Sequence, residues 1–237
     1  MKIRSLLLFG AAAVLVSLPA TAQWSDNFDS YPLGSLIDGQ GGWAGWDGSP
    51  MNAVVSNAHA KYADDQSVQL FANDDVVQEY EGYTTGQWTY TAWQWIPSDH
   101  TGTQTYFIML NRYDWDDSVD RAWSLQFLFD YGTNLCRDVD DSASNQLPIV
   151  YDEWMEIRVD IDLDANTRDL YYGGDLVSSG FRWYDVNDQY AIQAIEAVDL
   201  WGDSGGDYVH YDDMSLVPEP TSCLLLALAA ALGLRRR

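Results

Sequence analysis

Tryptophan and tyrosine are the residues of this sequence whose types and spacing could do chemistry. The 237 residues include 11 Trp and 15 Tyr. Sites that bind carbohydrates expose aromatic rings beside a few polar groups, because the C–H faces of sugars stack on such rings. The residues predicted to form this kind of surface are Trp43 and Trp46 in a glycine-rich loop, Trp93 and Trp95 on one strand face, and Tyr113 and Trp115 in an aspartate-rich loop. The alternative for each ring is a place in the core.

Aspartate clusters are the second chemical feature of the sequence. Carboxylate oxygens in flexible loops suit Ca²⁺, although none of the clusters has the spacing of an EF-hand. They are Asp114, Asp116 and Asp117; Asp138, Asp140 and Asp141; and Asp212 and Asp213. A structural calcium ion is the cofactor that these residues predict, and a solvated acidic surface is the alternative. The sequence has no Cys/His spacing typical of zinc, no phosphate-binding loop and no Ser-His-Asp pattern.

The charge balance excludes two classes of partner. The chain has 36 Asp and Glu against 12 Lys and Arg, a formal net charge of -24. Binding to nucleic acid requires basic residues that contact phosphates, and adsorption to anionic lipid requires them too. We therefore expect neither nucleic acid nor an anionic membrane surface to be a direct partner of the domain.

Residues 1–22 have the three parts of a secretory signal peptide. Lys2 and Arg4 form a positive segment, residues 6–16 are apolar, and Ala20-Thr21-Ala22 is a small-residue cleavage site. This pattern predicts that the protein is secreted and that the mature chain begins at Gln23.

The other end of the chain carries a second sorting pattern. Pro218-Glu219-Pro220 precedes an apolar stretch, residues 221–234, and the chain ends in Arg235, Arg236 and Arg237. The apolar stretch is shorter than the roughly 20 residues of an ordinary membrane span. If the tail is removed with Cys223, Cys136 has no partner, so no intrachain disulfide is predicted.

This tail resembles the PEP-CTERM sorting signal of Gram-negative bacteria in motif, apolar helix and basic end. The resemblance implies an exosortase as processing partner, transient anchoring in the inner membrane, and cleavage near Pro218 to Pro220. The product would reach the cell surface or the matrix, where proteins with such tails often accompany exopolysaccharide. An unprocessed tail anchor is the alternative.

Turn signals and aromatic or β-branched runs alternate between the two ends, which predicts an all-β fold of antiparallel sheets packed face to face. The predicted strands are 54–56, 68–71, 88–96, 105–112, 123–129, 154–163, 169–172, 197–201 and 208–216. The strand 154–163 has one apolar face, which includes Ile157, Val159 and Ile161. Strand 88–96 carries aromatic residues on both faces.

Four segments resemble concanavalin A-like jelly rolls, the superfamily of lectin, laminin-G and glucanase domains. They are residues 26–31 as first strand, 153–162 as central strand, 171–174 as a hairpin and 211–216 as closing strand. The resemblance implies a two-sheet jelly-roll sandwich over residues 23–216, between a signal peptide (1–22) and a sorting tail (217–237). It also implies a structural Ca²⁺ between the first and last strands, held by Asp26 with Asp212 or Asp213.

Glucanases of this superfamily place a Glu-x-Asp-x-Glu pattern on one strand, and the nearest match here, Asp160-x-Asp162-x-Asp164, has no glutamate. His59, His100 and His210 are scattered and form no lyase pattern. The sequence therefore predicts a protein that binds extracellular polysaccharide without catalysis. The alternatives are a structural matrix protein without a small ligand and a polysaccharide-degrading hydrolase or lyase.

Overall fold

Residues 23–63, 65–114, 121–203 and 208–219 are described by the structure, a computed structural model of the chain. The predicted signal peptide, Trp115, Pro220, the apolar tail and the terminal arginines lie outside the described residues. Within those residues, no helix is long and apolar enough to cross a membrane.

Strands of two packed sheets make up most of the described chain, and we number them in chain order. Sheet I has, side by side, β13 (Asp175–Phe181), β12 (Thr167–Tyr172), β11 (Trp154–Asp162), β6 (Gln87–Trp95), β15 (Val209–Pro218), β4 (Ser67–Leu70) and β3 (Val54–Ser56), with β1 (Trp24–Asp26) also paired to β15. Sheet II has β10 (Leu147–Pro148), β9 (Leu135–Asp138), β8 (Ala122–Asp130), β7 (Gln104–Arg112), β14 (Ala197–Trp201), β5 (Asp75–Glu79) and β2 (Trp43–Gly45). A single-turn 3-10 helix covers Trp46–Gly48.

The order of the strands confirms the predicted all-β, antiparallel jelly-roll sandwich. The first strand pairs with the last, with Trp24 opposite Leu216 and Asp26 opposite Met214. The neighbouring strands β6 and β15, and β7 and β14, come from distant parts of the chain. The strands β2, β5, β9, β10 and β13 were not predicted, because most of them are short and their apolar residues are too few to show a period of two. The first strand, which the resemblance placed at residues 26–31, lies instead at Trp24–Asp26.

Alternate residues of the strands face a core of aromatic and aliphatic side chains between the sheets. Tyr90 and Ala92 of β6 and Ile157 and Val159 of β11 are fully buried there, which confirms the predicted faces of both strands. The hydroxyls of Tyr80 and Tyr90 are 2.8 Å apart and form a hydrogen bond inside the core. This pairing satisfies two polar groups that would otherwise be costly to bury.

Asp26 links β1 in sheet I to the start of sheet II. Its carboxylate accepts hydrogen bonds from the Trp43 Nε1–H at 2.9 Å, the Tyr31 hydroxyl at 2.6 Å and the Phe28 backbone N–H at 2.8 Å. Gly41 is required beside this cluster, because a Cβ there would lie 1.8 Å from the Tyr31 hydroxyl. Trp43 is only 1 % exposed, so the expectation that this glycine-rich loop exposes it is wrong.

A second link between the sheets is a fully buried ion pair. Arg168 of β12 lies 2.6 Å from the Asp138 carboxylate of β9, and both side chains are 0 % exposed. The Arg168 Nε–H also donates to the Ser124 carbonyl at 2.7 Å, and the Ser178 hydroxyl donates to Asp138 at 2.8 Å. Asp138 was predicted as part of an acidic cluster, but here it neutralises a buried guanidinium.

We expect Arg168→Met to lower the free energy of unfolding by about 3–5 kcal/mol, because it leaves the Asp138 charge buried without a partner. Urea denaturation of the purified protein measures this change. Arg158→Met is the matched control, since the Arg158–Asp160 pair lies at the surface and such pairs contribute about 1 kcal/mol or less. Equal losses in the two variants would contradict a structural role for the buried pair.

Candidate functional site

The concave sites on the outer faces of the sandwich include one pocket on sheet I and one groove on sheet II that are rich in aromatic residues. The sheet I pocket has a volume of about 800 Å³, and its lining includes Asp26, Lys61, Trp93 and Asp213. The sheet II groove has a volume of about 210 Å³. It is lined by Trp46, Asp75, Ile108, Trp123, Gln126, Asp199 and Trp201.

The sheet I pocket brings together several predicted site residues, but a loop of the protein covers its aromatic rings. The Lys61 ammonium lies 3.9 Å from the centre of the Trp93 ring and 2.9 Å from the Asp213 carboxylate. Trp95 is 8 % exposed, because the His59 ring stacks on it with ring centres 3.5 Å apart. The predicted platform of Trp93 and Trp95 is therefore largely occupied by the protein's own side chains.

The predicted calcium ligands all have partners in the protein. Asp26 is held by the three donors described above, and Asp213 pairs with Lys61. Asp212 is buried and accepts a hydrogen bond from the Lys61 backbone N–H at 2.9 Å, and burial raises its pKa to about 7. Among the described residues, no three or more His, Cys, Asp or Glu side chains form a group that could hold a metal ion. Calcium binding stays a prediction.

The sheet II groove is built from the outward-facing residues of four adjacent strands. Asp199 of β14 lies opposite Val77 of β5 on one side and Ile108 of β7 on the other. Trp201 lies opposite Asp75 and Tyr106 in the next outward-facing row of the sheet. These residues point away from the core because their neighbours along the strands, such as Val76 and Leu200, are fully buried between the sheets.

Aromatic rings form the walls of this groove. The Trp46 and Trp123 rings are 6.3 Å apart and within 18° of parallel, and the Tyr106 and Trp201 rings are 5.1 Å apart and within 21°. Trp123 is 46 % exposed, so its ring is available to a ligand. Ring faces in an open groove are the type of surface on which sugars stack.

Trp46 and Tyr113, two of the predicted aromatic residues, have different roles here. Trp46 lines the groove, and the Arg121 guanidinium lies 4.7 Å from its ring centre. Tyr113 is 5 % exposed and does not present its ring. Its hydroxyl instead accepts a hydrogen bond from the Asp47 backbone N–H at 3.1 Å, which holds the loop that carries Trp46.

Two carboxyl groups meet at the floor of the groove. Asp75 and Asp199 hydrogen-bond to each other through their side chains, and the Oδ1 atom of each is buried with no hydrogen-bond partner. Burial raises the pKa of both groups, and the charge of Asp75 raises the pKa of Asp199 further. Asp199, which is 3 % exposed, therefore holds a proton in preference to a charge.

This pair and two of its flanking tryptophans were missed from the sequence. Trp123 and Trp201 lie in predicted strands, but nothing in the sequence shows that those strands are two positions apart in one sheet. Asp199 did leave a signal, because it interrupts the apolar strand Ala-Val-Asp-Leu-Trp. A carboxyl group in a buried strand requires a partner, and here the partner is Asp75.

Comparisons with known proteins identify the fold but no family. No protein-family model matches the chain, and no curated protein matches it. The catalytic domain of the glycoside hydrolase family 131 protein from Coprinopsis cinerea superimposes with a TM-score of 0.57 at 11 % identity, over 84 % of this chain and 95 % of that one. The T. cruzi calreticulin globular domain gives 0.54 at 11 % identity, over 91 % and 95 %.

A protein named Sialidase gives a TM-score of 0.53 at 11 % identity, over 86 % of this chain. The chain spans 19 % of the length of that sialidase. At these identities the similarities establish the jelly-roll fold alone.

We expect Asp199→Asn to stabilise the protein at neutral pH. The pKa of Asp199 is higher in the folded state than in the unfolded state, where it is about 3.9. Protonated Asp199 therefore contributes fully to stability below about pH 3.9, and this contribution is lost as the pH rises through the folded-state pKa. Asparagine has no charge to bury and can still donate to Asp75. The variant should therefore become more stable than the wild type as the pH rises. The difference in their free energies of unfolding should increase by more than about 1 kcal/mol between pH 4 and 8.

Urea denaturation across this pH range measures the difference between the two proteins. Asp213→Asn, on the opposite sheet, controls for the loss of one negative charge. A constant difference between Asp199→Asn and the wild type at all pH values would show that Asp199 does not retain its proton in the folded state.

Proposed function

We propose that this is an exported protein that binds extracellular polysaccharide without catalysis, and that the sheet II groove is its binding site. The observation that carries the proposal is the set of three tryptophans, Trp46, Trp123 and Trp201, around two carboxyl groups in one open groove. Such a site offers stacking surfaces for sugar rings and oxygen atoms for their hydroxyls. A glycoside hydrolase catalytic domain has the same fold, which supports carbohydrate as the class of ligand.

The contact between the two carboxyl groups supports binding over hydrolysis. Glycosidases hold their two catalytic carboxyl groups about 5–5.5 Å apart when they retain configuration and about 6.5–9.5 Å apart when they invert it. Asp75 and Asp199 instead hydrogen-bond to each other directly. A hydrogen-bonded pair is closer than either of these separations.

The sheet II groove is favoured over the sheet I pocket because one of its rings, Trp123, is open. Trp93 in the sheet I pocket has the Lys61 ammonium against its face, and Trp95 has His59. A sugar would have to displace these side chains before it could stack. In the sheet II groove the Trp123 ring is nearly half exposed without any rearrangement.

The sorting tail completes the proposal. We infer that it directs the chain to an exosortase, with transient anchoring in the inner membrane and release to the cell surface or matrix. The sandwich is ordered up to this motif, since Pro218 pairs with Trp88 and the Glu219 N–H donates to the Gln87 carbonyl at 2.8 Å. The folded domain therefore continues directly into the Pro-Glu-Pro motif without a linker.

We expect Trp123→Ala to weaken polysaccharide binding about tenfold or more, because one stacked ring contributes on the order of 1.4 kcal/mol. A panel of soluble and insoluble polysaccharides, assayed for bound protein and for new reducing ends, measures this. Trp93→Ala is the control and should leave binding unchanged.

Three outcomes would overturn parts of this proposal. A loss of binding in Trp93→Ala but not in Trp123→Ala would move the site to the sheet I pocket. New reducing ends would make the protein an enzyme. An absence of binding across the panel would favour a structural matrix protein.

Deletion of residues 220–237 should abolish a membrane-bound precursor, because the apolar and basic parts of the tail are lost. Pulse-labelling of the source bacterium, followed by separation of membrane and soluble fractions, measures the precursor directly. Replacement of Arg235, Arg236 and Arg237 by glutamine should slow processing while the apolar stretch is kept. An identical precursor in the wild type and the deletion would contradict the sorting role.

A further inference from the structure

We propose that the sheet II groove recognises a cationic amino sugar, a hexosamine unit with a free amine in a polysaccharide, whose ammonium group pairs with Asp75 and Asp199. This inference rests on the proposed function, that the groove binds polysaccharide, and names the class of sugar.

Among the described residues, the carboxyl pair has no cation in direct contact with it, although the charge of Arg121 partly lowers the pKa of Asp75. Each Oδ1 atom is buried and has no hydrogen-bond partner, although both residues line an open groove. Two adjacent carboxyl groups in such a place must hold either a proton or a cation, because two uncompensated charges cannot be buried together. An ammonium group supplies both a positive charge and up to three N–H donors for these oxygens.

A ligand would reach the pair through Asp75, because Asp199 is buried and the Oδ1 atom of each residue is enclosed. Asp75 is only partly buried and lies opposite Trp201 on the neighbouring strand. Asp199 lies two residues before Trp201 on that strand, opposite Ile108. A sugar ring between the aromatic walls would therefore meet Asp75 first. The proton shared with Asp199 leaves the pair when the ammonium group takes its place.

The walls of the groove favour a cation as well. Aromatic faces attract cations, and this protein already uses that interaction, for example with Arg121 over Trp46 at 4.7 Å and Lys61 over Trp93 at 3.9 Å. An amino sugar presents an apolar C–H face for Trp123 and Trp201 and a charge for the carboxyl pair. The formal net charge of -24 attracts a cationic polymer and repels a uronate or sulfate one.

Two other occupants fit the site less well. Ca²⁺ takes 6–8 oxygen ligands, and the groove offers two carboxylates, with no group of three acidic or metal-ligating side chains among the described residues. A neutral sugar could donate hydroxyl hydrogen bonds to the carboxyl oxygens, but it brings no positive charge to compensate the pair.

The test compares two oligosaccharides of equal length, a glucosamine hexamer and an N-acetylglucosamine hexamer, which differ in the free amines. Calorimetric titration of the whole secreted protein, at about pH 6 with a chelator and at physiological ionic strength, measures both affinities. The amine is protonated under these conditions, and non-specific charge effects are screened beyond about 8 Å. We expect the glucosamine hexamer to bind at least tenfold more tightly.

Asp75→Asn and Asp199→Asn should each remove this preference, because each should weaken binding of the glucosamine hexamer much more than binding of the acetylated hexamer. Both variants keep the shape of the side chain, and thermal unfolding confirms that they fold. Asp213→Asn is the matched control, since it removes one negative charge on the opposite sheet, and it should keep the preference.

The inference is overturned if the glucosamine hexamer binds no more tightly than the acetylated one, if neither binds, or if the preference survives both groove substitutions. If Asp213→Asn loses the preference as fully as the groove variants do, the preference comes from the overall charge of the protein, and the inference is overturned too. In each case the polysaccharide panel with Trp123→Ala decides separately whether the groove binds carbohydrate.

Discussion

Alternate residues of every long strand must face the shared core between the two sheets, and this packing constrains the rest of the structure. The core buries large rings, including Trp43, Tyr90 and Phe107. Burial of such surface is the main favourable contribution to folding. Because the side chains alternate, fixing which residues enter the core also fixes which residues form the two outer faces, and the sheet I pocket and the sheet II groove lie on those faces.

The two outer faces differ in how they treat their aromatic rings. On sheet I, the loop between β3 and β4 returns across the sheet and places His59 on Trp95 and Lys61 on Trp93. Sheet II leaves the Trp123 ring 46 % exposed, and Arg121 lies over the neighbouring Trp46 ring. The face with the more obvious aromatic pattern in the sequence is therefore closed by the protein itself, and the other face is available for a ligand.

The protein treats its buried charged groups in two different ways. Buried charge is neutralised where it is structural, as in the pair of Arg168 and Asp138 across the sheets. At Asp75 and Asp199, burial raises the pKa of both carboxyl groups, and the pair lies beside an open groove. The protein thus contains one buried charge pair, Arg168 and Asp138, that stabilises its fold. It also contains one carboxyl pair, Asp75 and Asp199, whose charge a ligand could neutralise.

The sequence by itself determined the fold class, most of the long strands and the faces of β6 and β11, because a period of two and turn residues are local properties of a chain. It also determined the resemblance of the two ends to sorting signals. Only the tertiary structure decided which rings are covered and which carboxyl groups meet. Asp75 and Asp199 are 124 positions apart in the sequence, and strand order, which brings them together, depends on long-range packing that leaves no periodic signal. Trp43 shows the same limit, since its glycine-rich loop suggests exposure until Asp26 and the core enclose it.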